Sequence, residues 1–431
     1  MKIEITRSEF LRTWQMAERS SSTKSTVGSL GGVLVTASGD KVSLAATDLK
    51  TSIKCSAGGI NVLKEGSAIF PVKVLGELFK KAPTDTFKVE IDGEKGVILS
   101  GRNKTRFSTW APEDFPRLAQ SDSADILCDV PTSDFLRILS EGSIASSPTD
   151  DFPKYLGACL IQLKSSMLHV ASSDGHRLSL SKCICESEGR SDADLLLPIT
   201  PLRELQRILQ ASAGSEKQEK NEKQEKQEKN SSGLVRILYD GSMAWFQMGD
   251  IEFSIRRVES SFPNYERILN PNVATTVVLN RADFLSALDR IDVIVRSHTR
   301  LVVMHMRPGG EFKLTGRAPE FGTAAEILDA DVDGDGLKVG FNVGFLQDGL
   351  KSINFDSIKM TLNGEAGQMT VRRDGSDDFL YMLMPVRITE QDMVEFDEEE
   401  QEMPDGLKND KSSVKKDSEE SEVSKGEEQE S

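Results

Sequence analysis

The chain repeats itself at domain length, and that limits its fold more tightly than any other feature. ITRSEFLRTW (5–14), VPTSDFLRIL (130–139) and LNRADFLSAL (279–288) share a short apolar strand, a Ser or Asp able to cap, and a Phe-Leu pair opening an amphipathic helix. Phe10, Phe135 and Phe284 are 125 and 149 residues apart. The longer interval contains a 20-residue low-complexity stretch, GSEKQEKNEKQEKQEKNSSG (214–233), and without it the spacing is 129. Solenoid repeats run to roughly 20–45 residues, so this period is one domain. A second helix signal follows each phenylalanine by about 60 residues: FPVKVLGELFKK (70–81), LPITPLRELQRIL (197–209) and FNVGFLQDGLKS (341–352), each with Pro or Asn at its start. Alternating strands fill the rest, with hairpin turns at Asp92-Gly93, Asp240-Gly241, Pro308-Gly309-Gly310 and Asn363-Gly364.

The pattern predicts an α+β chain of three tandem domains, each with two helices packed on about eight antiparallel strands. Expected boundaries are 1–121, 125–265 with the 214–233 insertion, and 272–388, followed by an acidic tail at 389–431. The linkers near 118–126 and 266–275 each come just after a Phe-Pro pair, Phe115-Pro116 and Phe262-Pro263.

The net charge of −16 argues against a polyanionic partner until the charge is located. Residues 389–431 hold 17 acidic and 5 basic residues with few large apolar side chains, the composition of a disordered, solvated tail. Residues 1–388 carry only −4. The 214–233 stretch, with five Glu and five Lys, is neutral and without an apolar face, so a surface excursion is expected there rather than a paired helix. The five cysteines Cys55, Cys128, Cys159, Cys183 and Cys185 are odd in number and lack zinc-finger spacing, which suits buried, reduced thiols. The N-terminus has no apolar signal region and no apolar run approaches a membrane span, so a cytoplasmic protein is expected. His169, His298 and His305 show no ligand spacing, and neither metal nor cofactor is expected.

The helices carry a charge pattern of their own. Arg12, Gln15 and Arg19 share one face of the first helix, Lys73 and Lys80 recur at i, i+7 in the second, and Arg203 and Arg207 at i, i+4 in the fourth. A cationic lining in an acidic body suits binding of phosphates without reading of sequence. The third repeat breaks the pattern, with Ser286 and Asp289 where the first has Arg12 and Gln15. SSDGHRLSL (172–180) sets Ser173, Asp174 and His176, the residue types of a hydrolase triad, within four positions. Neighbours on a strand face opposite ways, a triad gathers residues distant in sequence, and no G-x-S-x-G elbow is present. No catalytic residue is assigned, and Gly175 reads as a turn residue between two strands.

Taken with AATDLKTSI (45–53), SGRNKTRFSTWAPEDFP (100–116), FPNYERIL (262–269) and YMLMPVRI (381–388), these features make residues 1–388, apart from 214–233, resemble the beta sliding clamps of bacterial DNA polymerase III. The resemblance implies clamp-type domains forming half of a six-domain ring, a head-to-tail homodimer around double-stranded DNA held without sequence preference. Such a chain is a processivity factor with no catalysis of its own. Its implied partners are the polymerase III alpha subunit, the clamp loader, and other polymerases and repair proteins. A weaker alternative is a clamp-like interaction scaffold with reduced DNA loading.

The resemblance also implies a partner-peptide pocket between the second and third domains: Leu156, Ser173, Gly175, His176, Arg177 and Leu178, then Pro263, Arg267 and Ile268, then Met384, Pro385, Val386 and Arg387. His176 and Arg177 are expected at its polar rim, and Leu178 on its apolar surface. It places Arg12, Gln15, Lys24, Lys73 and Tyr155 toward DNA, with Lys154 where the family can have tyrosine and Thr200 where it often has lysine. Arg203 joins the DNA-facing set from its helix face. Arg106 and Phe107 become candidates for the ring interface. QDMVEF (391–396), which begins three residues after Ile388, has the outline of a clamp-binding peptide.

Overall fold

The computed structural model describes residues 1–392 apart from 23, 149–151, 188–189, 222–232, 268 and 270–272, with the side chains of 213–221 and 391 also outside the description. The first unit contains β1 (Lys2–Thr6), α1 (Arg7–Glu18), β2 (Gly32–Ser38), β3 (Lys41–Thr47), β4 (Thr51–Ser56), β5 (Ile60–Lys64), β6 (Gly66–Pro71), α2 (Val72–Lys80), β7 (Thr86–Asp92), β8 (Lys95–Ser100) and β9 (Asn103–Ser108). The second contains β10 (Asp125–Pro131), α3 (Thr132–Gly142), β11 (Ala158–Lys164), β12 (Met167–Ser173), β13 (Arg177–Ile184), β14 (Ala193–Pro198), α4 (Ile199–Asn221), β15 (Leu234–Tyr239), β16 (Met243–Met248) and β17 (Ile251–Arg256). The third contains β18 (Thr275–Asn280), α5 (Arg281–Val295), β19 (Leu301–Arg307), β20 (Glu311–Ala318), β21 (Gly322–Gly334), β22 (Leu337–Asn342), α6 (Val343–Lys351), β23 (Ser357–Leu362), β24 (Met369–Arg373) and β25 (Phe379–Leu383).

The repeat is real at the level of packing. Phe10, Phe135 and Phe284 are each buried, and each meets another aromatic ring: Phe79 at 5.4 Å, Phe246 at 5.8 Å and Phe312 at 5.7 Å between centroids. Such a side chain contributes roughly 1.5–3 kcal/mol by leaving water. The strands alternate as their sequences do: in β4, Thr51, Ile53 and Cys55 point into the core. Trp14 and Trp245 are buried. All five cysteines are free and buried, and burial pushes the thiols of Cys55, Cys159 and Cys183 up to about 12. The four marked turns all fall between paired strands, with Gly93, Gly309, Gly310 and Gly364 at positive φ.

Two local expectations are corrected. The opening helices do not start at a capping Ser or Asp: α1 and α3 run straight out of their strands without a side-chain cap, while α5 is capped by Asn280. Ser8 instead binds Asp85, its N–H and hydroxyl donating at 3.2 and 3.1 Å, so a remote carboxylate serves the first turn of α1. The low-complexity stretch is not all excursion, since α4 continues to Asn221. Glu, Lys and Gln have high helix propensity, and once a buried helix supplies the nucleus such a sequence extends it. Residues 222–232 lie outside the described residues, as does the tail beyond Asp392.

Two ladders cross unit boundaries. β17 pairs antiparallel with β4, joining the second unit to the first, and β13 pairs antiparallel with β25, joining the second to the third. The sheets β10-β15-β16-β17-β4-β3-β2-β6 and β14-β11-β12-β13-β25-β24-β23-β18-β21-β20-β19-β22 are therefore continuous through the joints.

Candidate functional site

Ser173, Asp174 and His176 build a turn rather than a triad. The Ser173 hydroxyl donates to the Arg177 carbonyl at 2.8 Å, and Asp174 Oδ1 accepts from the N–H groups of His176 and Arg177 at 3.0 Å each. Gly175 sits at φ +87°, which permits the reversal. The exposed imidazole of His176 stacks on the Phe345 ring at 6.4 Å.

The turn delivers Arg177 inward, which corrects its expected place at a rim. Only 9% of Arg177 is exposed. Its Nε donates to Asp174 Oδ2 at 2.9 Å, its Nη1 to Asp348 Oδ2 at 2.7 Å and to the Tyr381 hydroxyl at 3.1 Å, and the guanidinium lies 4.3 Å from the Phe345 centroid. Burial opposes the charge, but Tyr381, Asp348 and Asp174 outweigh it and hold the arginine above its ordinary range. Burial also drives the Tyr381 hydroxyl upward. A buried guanidinium needs partners on every side, and the β12–β13 turn, α6 and β25 supply them.

Leu178 is likewise inside, opposite Met382 in the β13·β25 ladder. With Ala158, Leu160, Ala171, Leu196, Tyr265 and Leu380 it forms an apolar cluster at the joint, flanked by half-buried Tyr155, Leu180, Val258, Phe262 and Leu269. Tyr155 packs edge-on against Phe262 at 5.9 Å. Leu156 and Pro263 are half-buried, Arg267 is exposed, and Ile268 lies outside the described residues. Met384 is 47% exposed and its N–H donates to the His176 carbonyl at 2.9 Å. Pro385, Val386 and Arg387 line a different recess, a cleft of about 460 Å³ with Lys338, Glu365, Ala366 and Ile388. The expected pocket residues thus divide between a joint and a neighbouring cleft.

A second ionic cluster on the same joint carried no signal in the sequence. Glu141 is 4% exposed; its Oε2 lies 3.1 Å from Arg137 Nη1 and accepts from the Ser181 hydroxyl at 2.6 Å, and its Oε1 lies 3.4 Å from Arg373 Nη2. Asp378 completes it, 3.2 Å from Arg137 and 3.6 Å from Arg373. These partners are up to 241 residues apart in the chain, so periodicity could not have linked them.

The helix cations fall into two sets. Arg19, Lys80 and Arg207 are engaged, with Glu204, Glu18 with Glu77, and Glu204 respectively. Among the described residues Arg12, Lys24, Lys73, Lys154 and Arg203 have no ion-pair partner, and all but half-buried Arg12 are exposed. Gln15 is half-buried on α1. In the third unit the corresponding charges are neutralised: Arg290 holds Glu326 through bonds of 2.7 and 2.6 Å, and Lys351 lies 3.3 Å from Asp289.

Among the open strand edges of the described residues are one in the first unit and one in the third: β9 ends its sheet, and the Gly322–Asp329 part of β21 pairs with β20 and with no described strand on its other side. Arg102, Lys104 and Arg106 are exposed on and beside β9, whereas Phe107 turns inward, 6.0 Å from Phe70. Ile327 on β21 is 62% exposed, beside Glu320, Glu326 and Asp329. Among the described residues no helix is long and apolar enough to cross a membrane, and no group of three or more His, Cys, Asp or Glu is placed to hold a metal.

Three copies of one two-helix unit, welded through continuous sheets, define a clamp-type protein. Family models described as the N-terminal and C-terminal domains of the DNA polymerase III beta subunit match residues 1–119 and 266–387. The chain is 26% identical over 411 residues to the beta sliding clamp of Synechocystis, covering 90% of this chain and all of that one. It is 24% identical over 389 residues to that of Pseudomonas putida, again with 90% and 100% coverage. Solved clamps from Bacillus subtilis and Thermotoga maritima superpose with TM-scores of 0.81 and 0.79 at 21% and 24% identity, each covering 90% of this chain and 100% of its own. The chain belongs to the DNA polymerase III beta subunit family, the beta sliding clamps.

Proposed function

We propose that two copies of this chain close head to tail into a six-domain ring that encircles duplex DNA and tethers replication proteins to it. The observation that carries this reading is the twice-repeated joint with a third left open. β9, β17 and β25 each close their unit, while β4, β13 and the first part of β21 each follow the first hairpin after the opening helix. β17 has β4 and β25 has β13; β9 and β21 remain, and only a second copy offers each its counterpart. Arg102, Lys104 and Arg106 on one edge complement Glu320 and Asp329 on the other. Pairing also removes two exposed edges that would otherwise invite aggregation.

In this ring the free cations Arg12, Lys24, Lys73, Lys154 and Arg203 face the phosphates, with Gln15 beside them. Contacts of this kind are weak, screened and blind to sequence, which lets the ring slide. The apolar cluster at the joint of the second and third units, with His176 and Met384 at its exposed margin, receives partner peptides. The groove presents polarizable and aliphatic walls suited to several occupants, among them the polymerase III alpha subunit, the clamp loader, and other polymerases and repair proteins. The chain contributes topology rather than chemistry, and the work is done in the cytoplasm.

The test measures mass and retention together. The protein in solution should have about twice the 47.4 kDa chain mass, and once loaded by a clamp loader it should stay on circular DNA and run off after linearisation. A monomer, or retention indifferent to linearisation, overturns the ring.

A further inference from the structure

The two sheets that build the second unit are linked, just beyond β13, by an isolated antiparallel bridge. β10 is the edge strand of one sheet, β13 belongs to the other, and the Asp129 and Glu186 backbones exchange N–H to carbonyl bonds of 2.9 and 2.8 Å. The residues that precede the two partners of such a bridge leave the backbone on the same side. Here they are Cys128 and Cys185, and Cys183 lies on that side of β13 as well. All three thiols sit in one core cluster, where Cys128 is wholly buried while Cys185 is 6% exposed, between exposed Ile184 and Glu186. The Cys128 thiol donates to the Cys185 sulfur, and Cys185 Sγ lies 3.7 Å from the Ser166 carbonyl. Arg190 spans the bridge, donating to the Glu186 carbonyl at 2.8 Å and to Asp129 Oδ2 at 3.2 Å.

We propose that Cys128 and Cys185 are a peroxide-oxidisable dithiol that closes into a disulfide across this link between the sheets. A reactive thiol needs an electropositive setting, a path to solvent and a second thiol within reach. Cys185 has all three. The hydrogen bond from Cys128 lowers its pKa, and Ser187 and Arg190 add to the effect against burial and Asp129. The Cys185 thiolate attacks one oxygen of hydrogen peroxide, the O–O bond breaks, and the products are a sulfenic acid and, with the Cys185 proton, water. The Cys128 sulfur then attacks that of Cys185, the S–O bond breaks, and hydroxide leaves with the Cys128 proton as a second water. Two electrons pass from the sulfurs to the peroxide. The new bond staples the two sheets and closes a loop of the chain, so the oxidised protein is harder to unfold.

The test exposes the full chain to hydrogen peroxide, alkylates the remaining thiols with iodoacetamide after unfolding, and maps the peptides by mass spectrometry. Two of the five thiols should be lost to alkylation, joined as Cys128–Cys185, and the urea midpoint should rise and return with dithiothreitol. Cys128→Ala should stop at a sulfenic acid on Cys185 that dimedone traps, and Cys185→Ala should retain all its thiols under the same exposure. The peptide map of the unaltered chain decides the matter even where a variant does not fold. All five thiols retained, a disulfide through Cys183, or a sulfinic acid at Cys185 without a disulfide overturns the proposal.

Discussion

The two joints within the chain share one backbone device and differ in almost everything else. Between the first and second units, β4·β17 is bordered by the hydroxyl pair Ser52 and Ser254 at 2.6 Å and by an exposed Arg19–Glu204 ion pair at 3.3 Å. Between the second and third, β13·β25 is clasped by buried ions on two sides, Arg177 with Asp174 and Asp348, and Glu141 with Arg137 and Arg373. Exposed pairs contribute roughly 0–1 kcal/mol, whereas removing one member of a buried network is costly because the others are left unpaired. The joint carrying the proposed peptide groove is therefore the one whose geometry is fixed. A docking surface needs that support, since a wall that shifts by about 1 Å no longer fits its ligand.

The largest test of this contrast is Arg177→Ala. It leaves Asp174 and the Tyr381 hydroxyl without their cation and should lower stability by about 3–5 kcal/mol, read as a lower urea midpoint. A loss below about 1 kcal/mol would show that the ions do not hold this joint. The Arg177 result also separates rim from core, because a mere rim contact would weaken peptides and leave the midpoint alone.

An intermediate effect is expected at His169, which anchors the linker after the second unit through Tyr265, 3.3 Å from its Nδ1. Burial, then Lys182 and Lys164, depress its pKa against the opposing pull of Glu266. Folding disfavours the imidazolium, so stability is full above the ordinary histidine value of about 6.5 and falls as pH drops through it. Acidification should speed tryptic cleavage at Arg267, and His169→Gln should remove that pH dependence. Cleavage that responds to pH equally in both proteins would detach the linker from His169. The smallest effect belongs to the first joint: Ser52→Ala removes one neutral hydrogen bond and should cost about 0.5–1.5 kcal/mol by the same urea assay. A loss matching that of Arg177→Ala would erase the distinction between the joints.

Much of the architecture was legible because it is periodic. Phe10, Phe135 and Phe284 announced three equivalent cores, and the Gly-containing turns marked the hairpins. The site was legible only in outline. SSDGHR was legible as a turn between strands, but spacing could not tell that Arg177 turns inward while His176 stays out, since that is decided by Asp348 and Phe345 on a helix some 170 residues later. The contact of Tyr155 with Phe262 was hidden for the same reason, the two rings being some hundred residues apart. Among the helix cations the sequence marked the faces, yet only the fold separates free Arg12, Lys73 and Arg203 from neutralised Arg19, Lys80 and Arg207.

The sequence by itself determined the repeat, the alternation of strands, the partition of charge between body and tail, and the residue types at the joints. These are local or periodic properties, written in side-chain order and in the 2.0 and 3.6 residue periods of strand and helix. Tertiary structure alone decided which charges meet, which strand edges close and which stay open. Those contacts join residues far apart in the chain, and a buried ion pair or an unpaired edge exists only once packing has excluded water from one side of it.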